Sequence, residues 1–354
     1  MQFQSDDILL VTGATGLVGS HVCQRARELG IQTRALVRES SDKTLLGEWG
    51  VDLVYGDLND LDALEQAARG VTALVHCAAK VGDWGPIDGY RKVNVDGTRA
   101  LLEAVEKNGT LKRVVHVSSL GVYAARDHHG TDETEPLSLS GIDGYTLTKA
   151  ESEMLVRKHI DEKKLPATIL RPGFIYGPRD RTVLPRITER LRIGGFKFLG
   201  TGNTLLNNTY VSNLVDAIFL ALEQDEHIGE LFNITDGSLV TKREFISTIA
   251  SLAGYPVPEK NVPLFVAKIL AKQMEFWQRV YDRFCPFNWS WLPPKNKAPL
   301  LNNARIKFLG LNLDFSINKA REKLGYEPKV QFENGMQQAI GWCREAGLLV
   351  RDED

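Results

Sequence analysis

The sequence predicts an α/β fold: a doubly wound, mostly parallel sheet with a smaller, interleaved C-terminal lobe. Three observations carry this prediction. Short apolar runs alternate with segments of helical period through the first half of the 354 residues. A glycine-rich turn, Gly13 to Gly19, joins the first apolar run to the first helical segment. Beyond Pro178 the alternation breaks up, which marks off the lobe.

Taken in order, Ile8-Leu9-Leu10 makes the first strand, and Val18, Val22, Ala26 and Leu29 give the first helix its apolar spacing. Gln32 to Val37 reads as a strand and Lys43 to Trp49 as a short helix. Asp52 to Gly56 is a strand leading into Asp57-Leu58, and Leu61 to Ala68 is helical. Ala73 to Cys77 is a buried strand, followed by a helix from Val93 to Asn108 with Val93, Gly97, Ala100, Leu101, Ala104 and Val105 at helical intervals. Arg113 to Ser118 is the next strand, Tyr145 to His159 a helix, and Ala167 to Leu170 a strand closing on Arg171-Pro172-Gly173. Later, Pro185 to Ile193 reads as a helix, Asn208 to Val211 as a strand returning to the sheet, and Val215 to Leu222 as a helix. From Gly229 onward come short strands, helices and the turn-rich stretch 288–300. Residues 5–178, with 208–225 returning to them, are thus assigned to the main domain, and 179–207 and 226–350 to a substrate-binding lobe. The ligand site of such a sheet lies at the carboxyl ends of its strands.

The glycine turn reads Val11-Thr12-Gly13-Ala14-Thr15-Gly16-Leu17-Val18-Gly19. Strand, glycine turn and helix together form the context of a dinucleotide site. Glycine lets the backbone turn tightly and approach a pyrophosphate, and the helix starting near Gly16 aims free N–H groups at the phosphates. Gly13, Thr15, Gly16, Leu17, Val18 and Gly19 are the predicted contacts. An acid at the end of the second strand would hold the ribose hydroxyls of NAD. Here Val37 stands at that place and Arg38 follows, a residue able to pair with the 2′-phosphate of NADP. NADP is therefore expected over NAD, with Glu39 the alternative acid that would reverse the choice. Asp57 and Leu58, after the third strand, have the place to contact the adenine, and Asp57 could also cap the next helix.

Composition bounds the class of partner. With 43% hydrophobic and 25% charged residues and a formal net charge of -2, the profile is that of a soluble globular protein. The near-neutral balance argues against nucleic acid. Cys23, Cys77, Cys285 and Cys343 are scattered without metal-ligand spacing, as in a reducing compartment. The N-terminus carries acids where a signal peptide needs bases, and no window reaches the ~20 apolar residues of a membrane span. The cytoplasm is the expected location. His128-His129, near Asp127 and Asp132, fall in a polar loop without spacing to hold a metal, and none is predicted.

Tyr145 and Lys149 stand at i and i+4, on one helical face. The pair follows Val117-Ser118-Ser119, where hydroxyls sit at the carboxyl end of a strand. A phenol with a pKa of ~10 is a poor base at neutral pH, and a nearby cation together with an oxidised nicotinamide would lower that value. Tyrosine would then pass the proton, and serine would hold the substrate oxygen, while hydride moves to or from the cofactor.

The glycine turn, the Ser–Tyr–Lys set and Arg171-Pro172-Gly173 together resemble the extended short-chain dehydrogenase/reductase superfamily, with its Rossmann dinucleotide fold. The resemblance runs over essentially the whole chain. It implies Tyr145 as acid/base, Lys149 on the nicotinamide ribose and Ser119 on the substrate hydroxyl. Asn94 matches a family asparagine near the active site, although by itself it reads better as a satisfied buried amide. Ala78, Ala79 and Lys80 after the fourth strand, Val117 after the fifth, and Pro172, Gly173 and Ile175 are implied as further cofactor contacts. A homodimer is also implied.

Two stretches choose a branch. Nucleotide-sugar epimerases and dehydratases of the superfamily carry an arginine just before the strand matching Thr209-Tyr210-Val211, where it clamps a diphosphate; Leu206 stands there instead. That stretch, and Ala78-Ala79-Lys80-Val81-Gly82-Asp83-Trp84-Gly85, look more like the 3β-hydroxysteroid dehydrogenase/isomerase branch. A bulky apolar, hydroxysteroid-like substrate is expected, interconverted between hydroxyl and ketone. A nucleotide-sugar epimerase or dehydratase and a non-catalytic dinucleotide sensor are the competing readings. Finally, Pro263 to Phe284 forms a clean wheel. Val266, Ile269, Leu270, Trp277, Val280, Tyr281 and Phe284 share one face, and Lys268, Lys272, Arg279 and Arg283 the opposite one. This pattern suits either a lid packed over the lobe or a helix in peripheral contact with an anionic membrane.

Overall fold

The computed structural model describes residues 1–284 and 297–349. Seven strands form one parallel sheet: β1 (Ile8–Thr12), β2 (Gln32–Val37), β3 (Asp52–Tyr55), β4 (Ala73–His76), β5 (Arg113–Val117), β6 (Ala167–Pro172) and β7 (Leu231–Ile234). Their order is β7-β6-β5-β4-β1-β2-β3. β1 pairs with both β2 and β4, setting Thr12 level with Leu36 and His76. The order reverses at β1, so the connections to β2 and β4 leave in opposite directions and open a crevice at the strands' carboxyl ends.

Helices Leu17–Glu28 and Val211–Glu223 cover one face over Val22, Val75, Val115, Leu214 and Ile218. Helices Leu61–Ala68, Gly97–Lys107 and Gly144–Lys163 cover the other over Leu64, Leu74, Leu101, Val114 and Val156. Both faces are shielded, which is why β1 and β4 read as nearly continuous apolar runs. A third core, built on Tyr176, Phe198, Leu206, Phe245, Phe332 and Met336, belongs to the lobe.

Several elements differ from the sequence expectation. Asn208–Tyr210 does not return to the large sheet; it pairs with Phe174–Tyr176 in a separate two-stranded ladder. The break falls at Gly173, where a Cβ would run into the Asn207 carbonyl, and Phe174 N donates to that carbonyl at 2.7 Å. β6 takes Leu231–Ile234 as its outer partner instead. Ile317, Ala320, Leu324 and Tyr326 also pack into the main core, so part of the stretch 226–350 completes the large domain rather than the lobe. The helix expected over Val93 to Asn108 is preceded by Ile87–Arg91, widens to a π-turn at Lys92–Asp96 and becomes regular at Gly97–Lys107. His128 is not in a polar loop: it is buried in strand His128–Thr131 against Leu313–Phe315. Its ring nitrogens meet Thr131 Oγ1 at 3.0 Å and Ala124 O at 2.9 Å. Cys285, residues 288–296 of the turn-rich stretch and residue 350 lie outside the described residues. No described helix is long and apolar enough to cross a membrane.

Candidate active site

The glycine turn sits at the reversal of strand order. Gly13 adopts φ +69°, and a Cβ there would lie 2.9 Å from Ala78 N. At Gly19 a Cβ would collide with the Gly13 carbonyl, so both positions admit only glycine. Gly16 N donates to Gly13 O at 2.9 Å, closing the turn, and helix Leu17–Glu28 then begins without a side-chain cap. Its first N–H groups and positive dipole end are therefore available to an anion. A bare, close-packed glycine cradle on an uncapped helix fits the pyrophosphate of a dinucleotide.

The side chains expected to react gather at the carboxyl end of β5 and the start of the Gly144–Lys163 helix. Asp143 caps that helix, accepting from Thr146 N at 2.8 Å, and Thr146 Oγ1 answers by accepting from Asp143 N at 3.1 Å. This box fixes Tyr145 in the first turn, where the nearby Ser119 hydroxyl acts to lower the phenol's pKa. Ser119 also accepts from Gly121 N at 3.0 Å, which holds its side chain at the strand end. Burial pushes the Tyr145 phenol up to about 12, against the lowering effect of Ser119. Among the chain's own groups the expected cation does not lower the phenol: Lys149 Nζ donates to the Val117 carbonyl at 2.5 Å, and burial outweighs the rest. Burial also pulls Lys149 down to about 8, opposed by Cys77 and Glu153.

Asn94 lies one helix away, and its amide is fully engaged. Its Oδ1 accepts from Lys80 N at 2.7 Å, and its Nδ2 donates to Lys80 O at 3.1 Å and Thr148 Oγ1 at 2.9 Å. It thus ties the loop after β4 to the Tyr145 helix. Ala78 N donates to Thr12 Oγ1 at 3.3 Å, bringing that loop against the glycine turn, and Ala79 follows. Pro172 ends β6, and Gly173 N donates to Thr209 Oγ1 at 3.0 Å. Ile175, half-buried, packs on the main core.

Arg38 is exposed just past β2, and among the described residues its side chain has no hydrogen bond or ion pair. Glu39 accepts from Lys43 Nζ on its backbone carbonyl at 2.6 Å, and its carboxylate lies 3.9 Å from the same Nζ. Asp57 accepts from Asn59 N at 2.7 Å and does not cap the following helix; Asp60 does, accepting from Ala63 N at 3.1 Å. Leu58 is buried against Gly97.

Beneath the site runs a charged network that sequence reading missed. Arg171 and Glu153 are both fully buried, with Arg171 Nη2 and Nε donating to the carboxylate at 2.6 and 3.0 Å. Ser118 Oγ donates to the same carboxylate at 2.7 Å, and Arg171 Nη1 donates to Tyr123 OH at 2.6 Å. Burial alone would raise Glu153, yet the Arg171 guanidinium holds it below the usual carboxylate range. The network separates the adjacent serines: Ser118 serves the floor and Ser119 the site. The one signal available was spacing, since Glu153 follows Lys149 by four residues on the same helical face.

Comparison with known proteins agrees with this geometry. The sequence model of the NAD dependent epimerase/dehydratase family matches residues 9–235. The chain is 30% identical over 341 residues to a 2-alkyl-3-oxoalkanoate reductase of Stenotrophomonas maltophilia, covering 93% of this chain and 97% of that protein. It is 29% identical over 327 residues to a 4-hydroxy-2-methyl-3-oxo-4-farnesyl-3,4-dihydroquinoline-1-oxide ketoreductase of Stigmatella aurantiaca, covering 92% and 93%. Similarity to a 3-beta-hydroxysteroid dehydrogenase of Mycolicibacterium neoaurum is 29% over 347 residues, covering 94% and 90%. The crystal structure of gox2253 superposes with a TM-score of 0.79 at 30% identity, covering 97% of this chain and 100% of that one. The chain belongs to the NAD-dependent epimerase/dehydratase family and is an oxidoreductase enzyme of the extended short-chain dehydrogenase/reductase class.

Proposed function

We propose that the enzyme reduces a ketone to a secondary alcohol on a bulky apolar, hydroxysteroid-like substrate, using NADPH. The observation that carries the substrate class is Leu206. It is buried in the lobe core and paired with Val240, at the place where nucleotide-sugar enzymes of the superfamily put a diphosphate-clamping arginine. A diphosphate left without a cation there would be poorly compensated. The loop Val81 to Gly85 adds an apolar wall, its Trp84 carbonyl anchored by the Tyr90 hydroxyl at 2.8 Å. The named relatives act on alkylated, farnesylated or steroid molecules, which supports the same class.

The dinucleotide, when bound, supplies hydride. Ser119 positions the substrate oxygen by hydrogen bonding, and Tyr145 shares that position. With its pKa raised to about 12, Tyr145 meets the substrate as a neutral phenol, the form that donates a proton to a carbonyl oxygen. Lys149, positively charged at neutral pH and held by the Val117 carbonyl, would hold the nicotinamide ribose, as the family resemblance implies. Arg38, exposed and without a side-chain partner among the described residues, would pair with the 2′-phosphate of NADPH.

The test is titration with NADPH and NADH, followed by a ketone panel of steroids and 2-alkyl-3-oxo acids alongside UDP-sugars. Turnover of the apolar ketones with NADPH is expected. Epimerisation of UDP-sugars with no ketone turnover would overturn the proposal.

A further inference from the structure

We propose that helix Leu264–Phe284 docks the enzyme on an anionic lipid bilayer, at the mouth of the site that receives its apolar substrate. The inference extends the substrate reading above and rests on it for the purpose of docking, not for the geometry. On a wheel of about 100° per residue the helix divides into three stripes. The packed stripe is Ala267, Ala271, Gln278 and Tyr281, all buried, with Ala267 and Ala271 seated against Ile306 of helix Asn303–Gly310. The next stripe is apolar yet open to solvent: Phe265, Ile269, Leu270, Phe276, Trp277 and Phe284 are 41 to 70% exposed. The third is cationic, with Lys268, Lys272, Arg279 and Arg283 running beside the exposed aromatics.

The two acids of the helix offset part of this charge, Glu275 pairing with Arg279 at 3.4 Å, and four cations against two acids leave the helix net positive. Glu275 is turned inward, accepting from Asn303 N at 2.6 Å and Nδ2 at 3.0 Å, and Asp282 accepts from Gln278 Nε2 at 3.0 Å. An exposed aromatic stripe flanked by cations matches a surface with an apolar interior and an anionic rim, which is a bilayer carrying acidic lipids. A second copy of the chain fits less well. A two-fold contact through this face would bring its cationic stripe against itself. The helix also touches the substrate loop: the Arg279 guanidinium lies 5.8 Å over the Trp84 ring, and Arg305 of the neighbouring helix pairs with Asp83. Docking would therefore set that loop at the membrane surface, where a lipidic ketone is concentrated.

The test is flotation of the purified enzyme, without substrate, on phosphatidylcholine vesicles with and without phosphatidylserine. Flotation is expected on the phosphatidylserine vesicles and little on phosphatidylcholine alone. Phe276→Glu with Trp277→Glu should abolish it. Lys272→Gln or Arg283→Gln should each weaken it by about fivefold. The inference is overturned if the enzyme does not float on acidic vesicles, or if it floats equally after Phe276→Glu with Trp277→Glu. It is also overturned if sedimentation velocity shows those substitutions dissociating a dimer. Flotation needs no turnover, so its failure leaves the reductase reading standing, and failure of the ketone panel leaves flotation to be judged alone.

Discussion

Helices Gly97–Lys107 and Leu264–Phe284 carry equally clear apolar stripes, and they end up in opposite environments. In the first, Gly97, Leu101, Ala104 and Val105 are all buried between the sheet and its neighbouring helices. In the second, Ile269, Leu270, Trp277 and Phe284 of the expected apolar face are exposed, while Ala267 and Ala271 make the contact. Two alanines allow close approach to the Asn303–Gly310 helix, and Glu275 locks the rotation by holding Asn303. Periodicity reports which residues share a face. It does not report what covers that face.

The contrast between a closed main domain and an open lobe helix can be sharpened by substitution. The largest effect falls on the proton donor: Tyr145→Phe should lower kcat by ~10²–10⁴-fold while leaving NADPH affinity in place, read by steady-state kinetics beside a fluorescence titration. Next comes the buried floor. Glu153→Gln leaves Arg171 without a counter-charge in a site where neither group meets water, and about 3–5 kcal/mol of unfolding free energy should be lost in a urea titration. Undiminished stability would show the floor to be less closed than its burial indicates.

A pH profile probes the same enclosure. Because burial depresses Lys149 to about 8, its positive charge is present below that pH and lost above it. Ketone reduction should therefore decline tenfold per pH unit on the alkaline side, starting near pH 8. Lys149→Arg should move that limb out of the accessible range. At the open edge of the main domain, Arg38→Ala should weaken NADPH binding by ~10-fold and leave NADH unchanged, since only the phosphate ester uses the guanidinium. The smallest effect belongs to the lobe helix. Phe276→Ser should change unfolding free energy by no more than about 0.5 kcal/mol, because the ring is already in solvent. A loss of several kcal/mol would place that ring in a packed core and end the comparison.

Much of the fold and the site was legible in the chain because it depends on local rules. The alternation of strands and helices, the glycine turn and the i,i+4 pairing of Tyr145 with Lys149 all follow from backbone geometry over a few residues. Resemblance to a known family added Ser119 over Ser118, and the Glu153 carboxylate accounts for the choice by engaging Ser118. Other features depended on partners distant in sequence. The outermost strand could not be assigned from Asn208 to Val211 because pairing with β6 is a competition between segments, decided where Gly173 breaks the ladder. Asp57 and Asp60 are both plausible caps by spacing, and only the turn through Asn59 selects Asp60. The influence of the chain's own groups on Tyr145 was not legible for a related reason. Sequence gives the neighbouring cation, but burial of the phenol and capture of that cation by Val117 are tertiary facts.

The sequence by itself therefore determined the parallel sheet, the glycine turn and the placing of Tyr145 and Lys149 on one helical face, since short-range sterics and helical period fix all three. Tertiary structure alone decided which strand completes the sheet, that an arginine–glutamate pair could be buried under the serines, and which stripe of the lobe helix faces water. Those outcomes depend on which surfaces meet, and desolvation is set by the meeting rather than by the residues alone.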